Sequence, residues 1–444
     1  MKYLFKRDTF LATIAVFGVI AILLHNPLNE HVFNPLKISL TDFALSDMAF
    51  SASHLKSTVD DRIVIVNVDT AGRGTLAAIL TSLRAYHPKV IGLDLLLPPQ
   101  ASPGNDTLQR AIEKDPAIVL CQGIAHGKDG YILSDNQFLP AQDFAGHSGQ
   151  AKTGAAAKTN TAEKTGAAVN TVAAEKTGTL LKTGKVPANP AGYVNFVGEE
   201  GNVVRFFPPF LKDDRASYGS FTAVIARLYD SAAYRRLQNR CNETEWINYQ
   251  RPDSGYYTIR FSDFLQDRVD SSFIRGKILL VGYLGQTPYD VRDKHFTPLN
   301  GKVLGRSLPD MNGIVIHANI LTMILDGNYI ARASKGVAIT IAVILTWLHM
   351  AFLLRYYIHR HLWFHLAVKI AEFLISILVF YLSILLLRYL NWSIDFTWTL
   401  IAIILAVDVF YFYEAFTNWL ARKWAYKSVF SELHGHEADN KSRQ

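Results

Sequence analysis

Three long apolar runs near the C-terminal end, Gly336–Leu354, Leu366–Leu387 and Ile394–Tyr413, constrain this chain more than any other feature. A hydrocarbon core about 30 Å thick is crossed by roughly 20 apolar residues in a helix rising about 1.5 Å per residue. Each run meets that length and exceeds what a buried soluble helix needs. They predict three transmembrane helices over 336–354, 366–387 and 394–413. A fourth run, Phe10–Leu24, is fifteen residues long. Thr9 and His25 extend it to an anchor over 10–25. Its shortness keeps a cleaved signal peptide as the alternative. Leu24-His25-Asn26-Pro27 offers no small-x-small cleavage site, which favours the anchor. Either reading exports the chain beyond His25.

Lysines and arginines beside the runs set the direction. Lys2, Lys6 and Arg7 precede the first run, Arg355 and Arg360 separate the second and third, and Arg422, Lys423 and Lys427 follow the fourth. The loop between the third and fourth carries only Arg388. Residues 1–9 and 414–444 are therefore expected in the cytoplasm, and 26–334 outside it. The expected location is a cell inner membrane. Apart from Asp395 at the very start of the last run, three charges lie within the runs: Lys369 and Glu372, which share a helix face at i,i+3, and Asp408. Charge in hydrocarbon seeks a partner. A contact of Lys369 with Glu372 or Asp408 that fixes helix packing is the first expectation, a signalling or ion-handling site the second, and simple snorkelling to the interface the third.

The net charge of +7 raises nucleic acid as a partner. No basic stripe with interleaved aromatics tracks a phosphate backbone, and much of the excess flanks the runs or sits in one low-complexity segment. Membrane lipid is the partner that composition requires. Cys121 and Cys241 fit no metal-ligand spacing. Cys121, inside Ile118-Val119-Leu120-Cys121, reads as a buried thiol, with a Cys121–Cys241 bridge left open. No cofactor-binding or metal signature is present, and neither is a Gly-x-Ser-x-Gly, His-Glu-x-x-His or phosphate-loop motif. An enzyme is not expected.

The exported part reads as α/β. Ile38–Leu55 is expected to be a helix. Arg62–Asp69, Lys89–Asp94 and Ala117–Ile124 are β-rich runs, separated by helical spacing over Leu76–Tyr86 and Asp106–Lys114. Strand–helix–strand order implies right-handed crossovers and a mainly parallel sheet. Residues 150–186 repeat Lys-Thr-Gly with almost no large apolar residue, an insertion expected to be disordered. Gly192–Phe196 and Val203–Phe207 are expected to pair as a hairpin about Glu200-Gly201-Asn202. Ser220–Tyr229 is helical, Lys277–Gly282 is a further buried strand, and Gly313–Leu325 reads as a strand running into a helix that ends near Gly327.

Several stretches together resemble the type-2 CHASE domain (cyclase/histidine-kinase-associated sensory extracellular). They are Val66-Asn67-Val68-Asp69 with Val90-Ile91-Gly92-Leu93-Asp94; Gly201…Val204-Arg205 ahead of Ser220-Phe221; Gly276–Gly282 followed by Asp293 and Thr297-Pro298-Leu299; and Met311-Asn312-Gly313-Ile314-Val315-Ile316-His317-Ala318-Asn319. The resemblance covers roughly residues 35–330 and the layout of one span before the domain and three after it. It implies a sensory module, usually fused to a histidine kinase, nucleotide cyclase or serine/threonine kinase, and a homodimer. The chain departs from the pattern in its Lys-Thr-Gly insertion and in lacking a recognisable output domain after Tyr413. A cytoplasmic kinase, cyclase or regulator acting in trans is therefore expected.

Ligands of open α/β sheets bind at the carboxyl ends of strands. Asp69 and Asp94, ending strands read as neighbours, are candidates to hold a cation or orient a polar ligand. Helix capping, or pairing of Asp69 with Arg73, is the structural alternative. Asp290 and Asp293 follow the Lys277–Gly282 strand and are candidates for the same rim, set against a salt-bridged loop with Arg292, Lys294 and His295. Thr297 reads as a turn lock before a contact. His317 and Asn319, in the apolar run after Gly313, read as core residues before ligand contacts. The leading function is a sensor for an unknown small molecule or periplasmic partner. A structural or assembly protein of the envelope is the alternative.

Overall fold

The computed structural model describes residues 3–25, 58–97, 102–127, 130–133, 189–196, 203–212, 216–266, 268–287, 290–300, 308–358, 364–424 and 426–430. The expected helix Ile38–Leu55, the 150–186 insertion and the Gly201 turn lie outside them.

The α/β domain is built on six parallel strands. In chain order these are β1 (Ile63–Asn67), β2 (Val90–Asp94), β3 (Ile118–Gln122), β4 (Ala191–Tyr193), β7 (Tyr257–Arg260) and β8 (Ile278–Gly282). β5 (Phe206–Phe207) and β6 (Glu245–Trp246) stand apart as a two-stranded pair. Across the sheet the order is β7-β1-β8-β2-β3-β4, with every pairing parallel. Alternate residues face opposite cores. Val64, Val66, Ile91, Leu93, Ile118, Leu120, Leu279 and Val281 pack on the face covered by α2 (Arg73–Ala85) and α3 (Asn105–Glu113). Ile63, Ile65, Val90, Val119, Cys121, Ile278 and Leu280 pack on the other face. That face is covered by α4 (Phe221–Tyr229), α5 (Ser231–Asn239) and α6 (Gly313–Asp326). Covering both faces explains why these strands read as unbroken apolar runs. Cys121 is a buried free thiol and Cys241 an exposed one, so no bridge joins them.

Three expectations are corrected. β8 lies between β1 and β2, so Asp69 and Asp94 do not end adjacent strands; the long connection through β7 returns the chain into the middle of the sheet. No hairpin joins Gly192–Phe196 to Val203–Phe207. β4 pairs in parallel with β3, whereas Phe206 and Phe207 pair antiparallel with Trp246 and Glu245. Finally, the run from Gly313 is helix throughout. The strand is the preceding β10 (Met311–Asn312), paired with β9 (Lys294–His295), and α6 ends on left-handed Gly327. An unbroken apolar run fits a buried strand and a buried helix equally well, and the 14-residue length of α6 decides for helix.

Beyond the domain, α7 (Lys335–Ile358), α8 (Phe364–Leu390) and α9 (Thr397–Trp424) are long and apolar enough to cross a membrane. α1 (Arg7–His25) is not among those three. Its Ala12, Val16 and Ile20 nevertheless pack with Met350, Leu353 and Leu354 of α7 and Ala402, Ala406 and Phe410 of α9. Two short strands, β11 (Ala331–Arg332) before α7 and β12 (Trp392–Ser393) between α8 and α9, pair with one another.

Candidate functional site

The carboxyl ends of β8 and β2 meet the start of α6. Asp94 closes β2 in register with Gly282 of β8. A side chain at Gly282 would collide with Ile314 Cδ1 at 2.7 Å and meet Asp94 Cβ at 3.3 Å, so the first turn of α6 lies directly over the ends of both strands. Asp293, in the left-handed region at φ 57°, accepts the Gly313 N–H on its backbone carbonyl at 3.0 Å. Its carboxylate oxygens stand 3.3 and 3.4 Å from where a Gly313 Cβ would be. Burial, reinforced by the Asp293 charge, pushes the Asp94 carboxyl up to about 7. At neutral pH Asp94 is thus partly protonated beside the Asp293 side chain.

His295 Nε2 is 3.9 Å from Asp293 Oδ1. Phe196 lies edge-on to His295 at 5.1 Å and stacks on His317 at 4.7 Å. His317 is also edge-on to Phe221 at 5.4 Å. Burial, then the neighbouring His295, pushes His317 down to about 3, which keeps it neutral. Asp94, Asp293 and His317 therefore gather around one helix start, with the Phe196 ring over His317.

Asn67 extends the rim. Its amide oxygen accepts the N–H groups of Asp69 and Leu284, each at 3.1 Å, while its NH2 donates to the Gly285 carbonyl at 2.9 Å. Asp69 is held left-handed at φ 51°, with a buried Oδ1 that has no hydrogen-bond partner among the described residues. Gly72, not Asp69, takes the N-cap position of α2, and Arg73 donates to Asn105 Oδ1 at 2.5 Å. Asp290 is held well below the usual carboxylate range by Arg292 at 2.7 Å and by the Tyr283 hydroxyl, in a salt-bridged loop. Thr297 donates its hydroxyl and its N–H to Asp310. Asn319 clamps the 250–251 backbone by accepting both N–H groups at 3.1 Å and donating to the Arg251 carbonyl at 3.0 Å. Arg73, Thr297 and Asn319 are thus spent on the framework, away from the first turn of α6.

The other end of α6 reaches the long apolar helices. At about 1.5 Å per residue, its 14 residues carry the chain about 21 Å from the rim. Thr322 donates to buried Asp60 at 2.8 Å, and Arg62 joins Asp60 to Asp326. Burial opposes ionisation of Asp60, but Arg62 at 2.7 Å overrides it and holds the carboxyl below its ordinary value. Just past Gly327, Asn328 meets the loop between α8 and α9. Asn391 Nδ2 donates to Asn328 Oδ1 at 2.6 Å, and Asn248 Nδ2 donates to the Asn328 carbonyl at 3.1 Å. Ala331 N–H donates to the Asn391 carbonyl at 2.8 Å, and Arg332 lies over the Trp246 ring at 5.2 Å. Trp246 and Leu299 of the domain pack with Ile330 and with Ile384 and Leu387 of α8. Sequence reasoning misses this polar and apolar joint, and Asn391 in a short loop between apolar runs is its one visible trace there.

At the opposite end of the bundle, buried Asp8 accepts the Tyr413 hydroxyl and the Val429 N–H, both at 3.0 Å. Phe430 is buried beside Tyr357, Phe410 and Tyr413. The start of α1, the end of α9 and residues 426–430 are locked together there. The Lys369–Glu372 pair forms at 2.9 Å, but Asp408 faces outward and does not join it.

Residues 14–354, more than half the chain, match the sequence model of the CHASE2 domain. The chain belongs to the CHASE2 domain family. CHASE2 is a sensory extracellular domain rather than a catalytic one. The match takes in the whole sheet, the rim, the joint's domain side and most of α7. No curated protein and no solved structure matches the chain.

Proposed function

We propose that this CHASE2 protein is a receptor-like sensor in an inner membrane. Its domain lies outside the cytoplasm and receives a small polar ligand or a periplasmic partner at the Asp94–Asp293 rim. The event passes along α6 to the Asn328–Asn391 joint, then through the helices to a separate cytoplasmic kinase, cyclase or regulator. One observation carries the reading: a single buried helix starts at the rim and ends at a hydrogen-bonded contact with the loop between α8 and α9. Rigid elements with discrete contacts at both ends are the kind of connection that carries coupling between distant sites.

The test is gentle purification of the full chain from native membranes, with mass spectrometry of the proteins that accompany it. Recovery of a kinase, cyclase or response regulator supports the relay. Recovery of envelope proteins alone would replace it with an assembly role.

A further inference from the structure

Asp408 is the anomaly of the membrane bundle. It lies on α9, inside an apolar helix, and its side chain faces outward with no ion pair or hydrogen bond among the described residues. Its exposed neighbours along the same face are Ile401, Ile404, Phe412 and Phe416, all apolar. A carboxylate on a lipid-facing surface is costly and calls for a cation or a donor from outside the chain.

Lys369 of α8 offers an outward cation. Tyr357, next to the end of α7, donates its hydroxyl to Glu414 of α9, which marks one level across the bundle. α8 starts at Phe364, shortly after α7 ends. Asp408 is six residues inside Glu414, about 9 Å of helix rise; Lys369 is five residues inside Phe364, about 7.5 Å. Lys369 gives one donor to Glu372 at 2.9 Å, yet its side chain remains 60% exposed. An ammonium has three donors, so two remain. α8 is also the least covered of the three spans, with Ile370, Phe373, Ile377 and Tyr381 exposed along it.

We propose that a second copy of this chain covers the exposed α8–α9 face, with Asp408 of each copy paired to Lys369 of the other. A two-fold axis makes the contact reciprocal, so one outward acid and one outward base per chain satisfy both charges twice. The charges define register in the bilayer, where apolar contact alone does not distinguish a partner from lipid. The inference rests on α8 and α9 spanning the membrane and is independent of what the domain senses.

The test uses two differently tagged full-length chains in nanodiscs, one Asp408→Lys and the other Lys369→Asp, read by native mass spectrometry. Each alone opposes like charges at both contacts, and its self-association is expected to weaken roughly tenfold or more against the parent chain. Mixed, the two present opposite charges at both contacts, and heterodimers are expected to exceed both homodimers. Random pairing, or no pairing in the parent chain, overturns the proposal. Should either swap fail to insert, Asp408→Asn keeps the size and removes the charge; its self-association is expected to fall with an unchanged melting temperature, and an unchanged association overturns the proposal. Co-purification of a cytoplasmic partner reports on the sensory reading separately.

Discussion

Asp94 shows how a residue acquires a property its sequence position does not reveal. Ending an apolar strand with an acid is common, and helix capping is the ordinary reason. Here the cap position of α3 is Gly104, and Asp94 is left beside Asp293 under the first turn of α6. A carboxyl pushed up to about 7 binds a proton in the folded state that the unfolded chain has already released above its ordinary value near 4. Stability from this group therefore falls as pH rises between those values, and the whole cost is present above 7. Asp94→Asn is expected to raise the melting temperature of the full chain by a few degrees at pH 8 and to leave it nearly unchanged at pH 4. A melting temperature that drops equally at both would mean that the carboxylate makes a stabilising contact. Residue types in the rim are legible in the sequence, because acids at strand ends stand out. Asn67, which ties Asp69 to the 284–285 loop, is not, because an asparagine inside a strand run gives no sign of the distant loop its amide will meet.

Elements are legible where local periodicity decides them and illegible where pairing is remote. β1, β2, β3 and β8 read directly from apolar runs, and α2 from its buried stripe of Leu76, Ile79, Leu80 and Leu83. Strand order does not follow, since the insertion of β8 between β1 and β2 depends on residues about two hundred positions apart. The expected hairpin fails for a related reason. β4 is drawn to β3 because α4 lies directly across it: a Cβ at Gly192 would sit 2.6 Å from the Phe221 Cα and 2.7 Å from its N. Backbone cannot step aside as a flexible side-chain end can. Gly192→Ala is expected to separate α4 from the sheet edge and to lower the melting temperature sharply; a variant melting with the parent chain would show that the approach is looser than this.

For the whole molecule, the α/β domain and three long apolar helices are readable from composition and periodicity, while their hydrogen-bonded connection is not. α6 is buried along 13 of its 14 residues, so it cannot shift at the rim without repacking along its length. Its far end is tied to the α8–α9 loop through Asn328 and Asn391, and the bundle is in turn tied at its other end through Asp8. The most direct test of this account is a spin-label distance measurement between Leu228→Cys in the domain and Leu382→Cys on α8, in a Cys241→Ser background in nanodiscs. Hydrogen-bonded docking of the domain on the bundle predicts a narrow distance distribution that broadens when Asn391→Ala removes the 2.6 Å contact. A distribution already broad in the parent chain, or one that Asn391→Ala leaves unchanged, would contradict a joint that couples the domain to the long apolar helices.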